Sequence, residues 1–127
     1  MAIEEKCPCR GSFLDRFLQP SILLLLSREE LHGFAILKRL READFEGCQR
    51  VDPTGLYRTL RKMEQAELLR SKRETQRSGP ARDVYGLTEK GNACLRTWAG
   101  TLRAYCDDVE RLAEAVAAAC QDSEPPV

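Results

Sequence analysis

Leu95, Trp98, Leu102, Tyr105, Val109, Leu112 and Val116 stand alternately three and four residues apart. That alternation puts seven apolar side chains on one stripe of an α-helix, the seam along which helices pair. Thr88 offers a cap and Glu89 an acidic first turn, so the helix is expected to begin there and run to about Gln121. A helix of about 33 residues is roughly 50 Å long at 1.5 Å per residue. In a chain of 127 residues it leaves a body of some 85, too small to cover the whole stripe. A second copy of the chain, joined by the leucine-rich first helix, would cover the remainder.

The body reads as three shorter helices and a hairpin. Phe13 to Ser27 is dense in Phe and Leu, and the helix either starts near Gln19 or kinks at Pro20. Ser27-Arg-Glu-Glu30 has the spacing of a capping box, with a turn after it. Phe34 to Ala43 carries Phe34, Leu37 and Leu40 at helical spacing, and Gly47 breaks the pattern. Asp52-Pro53 is a strong helix start, because Asp accepts free backbone N–H groups and Pro loses no hydrogen bond there. That helix is expected to reach about Ala66. Leu69 to Gln76 and Arg82 to Leu87 read as strands around the turn Arg77-Ser-Gly-Pro80.

The expected fold is therefore mainly α with a small β-hairpin: a winged helix-turn-helix plus a long C-terminal dimerisation helix. Residues 1–12 form an irregular Cys-containing lead, 13–87 the winged-helix domain, 88–121 the dimerisation helix, and 122–127, with Pro125 and Pro126, a disordered tail. Hydrophobic residues at 43% exclude a chain too polar to fold.

Twenty basic and twenty acidic residues cancel, but unevenly along the chain. Residues 1–49 are net −1, residues 50–82 net +5 and residues 83–127 net −4. The central block is a candidate polyanion-binding surface. At 100° per residue, Leu56, Leu60 and Met63 form the core stripe of its helix. Thr54, Arg58, Arg61 and Gln65 take the opposite side, with Tyr57 and Lys62 flanking. Arg pairs bidentately with guanine and Gln with adenine, while Thr and Tyr suit phosphate. The hairpin adds Lys72, Arg73, Arg77 and Arg82. Two adjoining cationic elements suit a duplex-DNA footprint of groove plus backbone.

Other chemistries fit poorly. His32 has no orienting partner for a cysteine nucleophile, and neither a Gly-rich phosphate cradle nor a carboxylate pair occurs, so no enzyme is expected. Cys7 and Cys9 lack zinc spacing, and neither metal nor cofactor is expected. Glu4 and Glu5 do not suit a secretory signal, and the apolar run Ile22 to Leu26 is five residues against the about 20 that span a bilayer. A cytoplasmic protein with reduced thiols and no membrane association is expected.

Several motifs in order carry a family resemblance. They are His32-Gly33-Phe34, then Pro53-Thr-Gly-Leu-Tyr57, then Leu60-Arg-Lys-Met-Glu64 with Leu68-Leu69, then Gly79-Pro-Ala-Arg82 and Tyr85-Gly-Leu-Thr-Glu-Lys-Gly91. Over residues 17–95 the chain resembles the PadR-type transcriptional regulators. The resemblance implies a homodimeric winged-helix repressor that binds a two-fold symmetric operator and releases it on binding a small effector. Phe34 stands where the family often has Tyr, and Asp83 follows Arg82 where further basic residues are common. The opening Cys7-Pro-Cys-Arg-Gly11 resembles one subgroup, some of whose members are labelled polyhydroxybutyrate-responsive repressors.

If an effector binds at the dimer interface, Trp98 and Tyr105 are its aromatic walls; the alternative is plain interface packing. Two further readings stand beside the repressor. One is a thiol- or metal-responsive regulator sensing through Cys7 and Cys9, with Cys48 as a third thiol. The other is a protein–protein adaptor that docks an acidic partner on the basic block. Cys94, Cys106 and Cys120 flank the seam and read first as small buried apolar residues.

Overall fold

The computed structural model describes residues 17–43, 51–75 and 79–123. Among them are four helices and three strands. The order is α1 (Leu18–Arg28), β1 (Leu31–His32), α2 (Gly33–Arg41), α3 (Pro53–Gln65), β2 (Leu69–Glu74), β3 (Arg82–Leu87) and α4 (Glu89–Ser123). The chain divides into two compact units, 1–95 and 96–127.

In the first unit the helices close on an apolar core. Ile22, Leu23, Ile36, Leu40, Leu56, Leu60 and Met63 are at most 2% exposed. Pro20 falls in the first turn of α1, which starts at Leu18, and its missing N–H costs nothing there. The capping-box reading of Ser27 is overturned. Ser27 lies inside α1, and its hydroxyl donates back to the Leu24 carbonyl at 2.6 Å. A hydroxyl that satisfies the preceding turn is not available to start a new helix. The cap of α2 is His32 instead, whose Nδ1 accepts from the Ala35 N–H at 3.3 Å.

The wing is a three-stranded antiparallel sheet rather than a bare hairpin. Its order is β1-β3-β2, with Leu31 opposite Tyr85 and His32 opposite Val84. The central strand, β3, pairs along its whole length with β2, from Leu69–Leu87 to Glu74–Arg82. Glu30, just before β1, braces the sheet across its width. It accepts from Arg70 at 3.0 Å and faces Lys72 at 3.7 Å, both on the far strand.

The end of α3 sets where the wing begins. The Leu68 N–H donates to the Met63 carbonyl and the Glu67 N–H to the Glu64 carbonyl, a helix-terminating pair of bonds that needs a left-handed residue. Glu67 fills that position with φ 64°. Thr88 then ties three elements together. Its hydroxyl donates to the Glu67 carbonyl at 2.6 Å and accepts from the Gly91 N–H at 2.9 Å, capping α4. A side chain at Gly91 would strike the Leu68 carbonyl, so glycine admits α4 to this junction.

The second unit is the remainder of α4. Tyr105, Val109, Leu112 and Val116 are 47%, 61%, 64% and 53% exposed, while Trp98 and Leu102 are half-buried. No helix among the described residues is long and apolar enough to cross a membrane.

Candidate nucleic-acid interface

Asp52 caps α3 through a 3.0 Å bond from the Gly55 N–H to its carboxylate, and Pro53 occupies the first turn. This start fixes the rotation of the helix. Leu56, Leu60 and Met63 turn inward, and Thr54, Tyr57, Arg58, Arg61, Lys62 and Gln65 are all exposed. A 13-residue helix thus buries one apolar stripe and presents a cationic, hydrogen-bonding face.

Two contacts hold α3 to α2. The Arg41 guanidinium donates from Nε and one Nη to the Val51 carbonyl, at 3.4 and 3.3 Å. The Tyr57 ring lies on Gly33, the first residue of α2. A third contact joins α3 to the wing: Ser71 donates to the Glu64 carboxylate at 2.6 Å.

Between α2, α3 and the wing lies a groove of about 590 Å³. His32, Gly33 and Phe34 form one wall; Tyr57, Arg61 and Glu64 a second; Arg73, Ala81, Arg82, Asp83 and Tyr85 the third. Phe34 is 68% exposed at its edge. Burial raises the Tyr85 hydroxyl above its ordinary pKa of 10, reinforced by Asp83, Glu64 and Tyr57 and opposed by Arg61. Tyr85 therefore stays a neutral donor throughout the neutral range.

The basic residues differ in how committed they are. Arg58, Arg61 and Lys62 have no ion-pair partner among the described residues. Lys72 faces Glu30, Arg73 faces Asp83 at 3.7 Å, and Arg82 lies 3.1 Å from His32 Nε2. All three wing cations remain exposed, and such surface pairs are worth little, so a phosphate can displace them. Arg77, Cys7, Cys9 and Cys48 lie outside the described residues. Cys94 is half-buried, but Cys106 and Cys120 are exposed rather than buried, because nothing among the described residues of the single chain covers that stretch of α4. Sequence reasoning did not place His32, Gly33, Phe34 or Tyr85 in this region. The pairing of β1 with β3 brings Tyr85 beside His32 and the start of α2, and a two-residue strand has no periodicity to read.

The profile of the transcriptional regulator PadR-like family matches residues 22–97. No curated protein matches the chain. Among solved structures, the chain is similar to a PadR-like transcriptional regulator from Bacillus cereus, at 25% identity and TM-score 0.66 over 78% of this chain and 93% of that one. A PadR family regulator from Eggerthella lenta aligns at 26% identity and TM-score 0.67, over 84% and 92%. Bacillus subtilis PadR, solved in complex with operator DNA, aligns at 27% identity and TM-score 0.58, over 66% of this chain and 47% of that one.

Proposed function

The chain belongs to the PadR-like family of transcriptional regulators, and we propose that it acts as a homodimeric, effector-responsive repressor that reads its operator with α3. The observation that carries this reading is the outer face of α3, where Arg58, Arg61 and Lys62 are exposed and unpaired among the described residues beside a cationic wing. Bidentate arginine–guanine pairs supply base discrimination, and Thr54 and Gln65 complete the face. Lys72, Arg73, Arg77 and Arg82 hold the flanking backbone, where contacts position without specifying sequence. The operator complex of Bacillus subtilis PadR supports the choice of partner.

The exposed seam of α4 supports the dimer. Four large apolar side chains about half or more exposed on one stripe are uncommon on a lone soluble helix and ordinary where two copies meet. Two recognition helices must then lie about 34 Å apart to enter successive major grooves. An effector that binds one spacing better than the other releases DNA without touching it. Trp98 and Tyr105, on the seam, are the proposed aromatic walls of such a site. The proposed setting is the cytoplasm, where the regulator meets DNA.

The test is a binding titration on duplex DNA from upstream of the protein's own reading frame. Arg58→Ala and Arg61→Ala should each weaken operator binding by about 1–3 kcal/mol and relax specificity at one position. A double variant with unchanged operator affinity at about 150 mM salt would refute the assignment of α3.

A further inference from the structure

Gly33 is buried and opens α2, where its backbone conformation is one that any residue adopts; the only described glycine with positive φ is Gly79. Its requirement is space. A Cβ built there would fall 2.5 Å from Tyr57 Cε1, 2.6 Å from the hydroxyl oxygen and 2.8 Å from Cζ. Ordinary contact begins near 3.4 Å, so any side chain forces the ring back by about 1 Å. Tyr57 is 44% exposed. Gly33 meets the ring at its hydroxyl-bearing edge, through Cε1, Cζ and the hydroxyl oxygen, and Tyr57 lines the groove together with Arg61 and Tyr85.

We propose that Tyr57 is a positioning residue: its ring, seated on Gly33, sets the pitch of α3 against α2, and DNA affinity depends on the ring rather than on its hydroxyl. The inference rests on the DNA-reading role of α3. Tyr57 precedes Arg58 by one residue and Arg61 by four, so the ring and Arg61 lie on neighbouring turns of the same face. Arg41 holds the chain at Val51, just before the helix. The ring holds it one turn inside. With its start clamped and its first turn seated, α3 presents both guanidiniums at fixed height, as bidentate pairing with a base edge demands. Without the seat, the helix pivots about Val51.

The experiment is a double-mutant cycle on the full chain, read by operator affinity and by thermal unfolding. Tyr57→Phe is expected to bind within twofold of wild type, and Tyr57→Ala at least tenfold more weakly. Gly33→Ala is expected to lose at least tenfold and to lower Tm by several degrees. In the Tyr57→Ala background the same glycine change should cost no further affinity and leave Tm equal or higher, because alanine is the better helix former. Tyr57→Phe as weak as Tyr57→Ala overturns the proposal by showing a hydroxyl contact. Losses that add across the cycle overturn it as well, since they show no seat. Tyr57→Phe and Tyr57→Ala introduce no overlap, so their comparison decides even if Gly33→Ala fails to fold. Failure of the wild type to bind duplex DNA would overturn the DNA reading and this proposal together; wild-type binding with either contrary pattern overturns this proposal alone.

Discussion

Helices α3 and α4 are both amphipathic, yet they leave opposite chemistry outside. Helix α3 buries Leu56, Leu60 and Met63 almost completely and exposes arginine, lysine, threonine and glutamine. Helix α4 keeps Val109, Leu112 and Val116 at 61%, 64% and 53% exposure. Water solvates the first surface readily, so its charge is at no cost in the free protein. The second surface is costly to leave wet, at roughly 25 cal/mol for each Å² of apolar area. The contrast is the ground for the partners proposed above, a nucleic acid for α3 and a like surface for α4.

The largest expected effect breaks the contrast on the α4 side. Leu112→Asp with Val116→Asp makes that stripe as polar as α3, and sedimentation should show a monomer. Operator affinity should fall at least about 100-fold, because two linked half-sites bind far more tightly than one. The next effect breaks it on the α3 side. Arg61→Ala should cost about 1–3 kcal/mol of operator binding while leaving the dimer intact, measured by anisotropy and sedimentation together. Lys72→Ala sharpens the distinction between reading and holding. It should weaken all duplexes alike and reduce the slope of log affinity against log salt by about one.

Two smaller effects test what holds α3 and the wing in place. The raised pKa of Tyr85 means that the folded state resists losing this proton. Its stability contribution is whole below pH about 10 and is lost as pH climbs through the raised value. Tyr85→Phe should therefore lose less stability than wild type between neutral and strongly alkaline pH, measured by denaturant midpoints. Glu67→Gly relieves a left-handed residue at the end of α3 and should stabilise the fold by about 0.5–1 kcal/mol in urea titrations.

The parts of this molecule that depend on local rules were readable from residues. The Asp52-Pro53 start, the inward trio of α3, the Thr88 cap and the strand Arg82–Leu87 all follow from spacing and capping chemistry, and each is found. The parts that depend on partners far along the chain were not. Leu31–His32 is a strand because β3 lies beside it, not because of its own pattern. Ser27 had the right spacing for a capping box, but its hydroxyl was already engaged by the Leu24 carbonyl. The groove, lined by His32, Phe34, Asp83 and Tyr85 as well as Arg61, depends on that same long-range pairing together with the packing of α2 on α3.

The most direct measurement is a hydroxyl-radical footprint of the protein on DNA upstream of its own reading frame, repeated with the Arg58→Ala, Arg61→Ala double variant. Wild type is expected to protect two symmetric patches about 10 base pairs apart, centre to centre, and the variant neither. A single patch, or protection that survives loss of both arginines, would contradict a paired molecule reading DNA through α3.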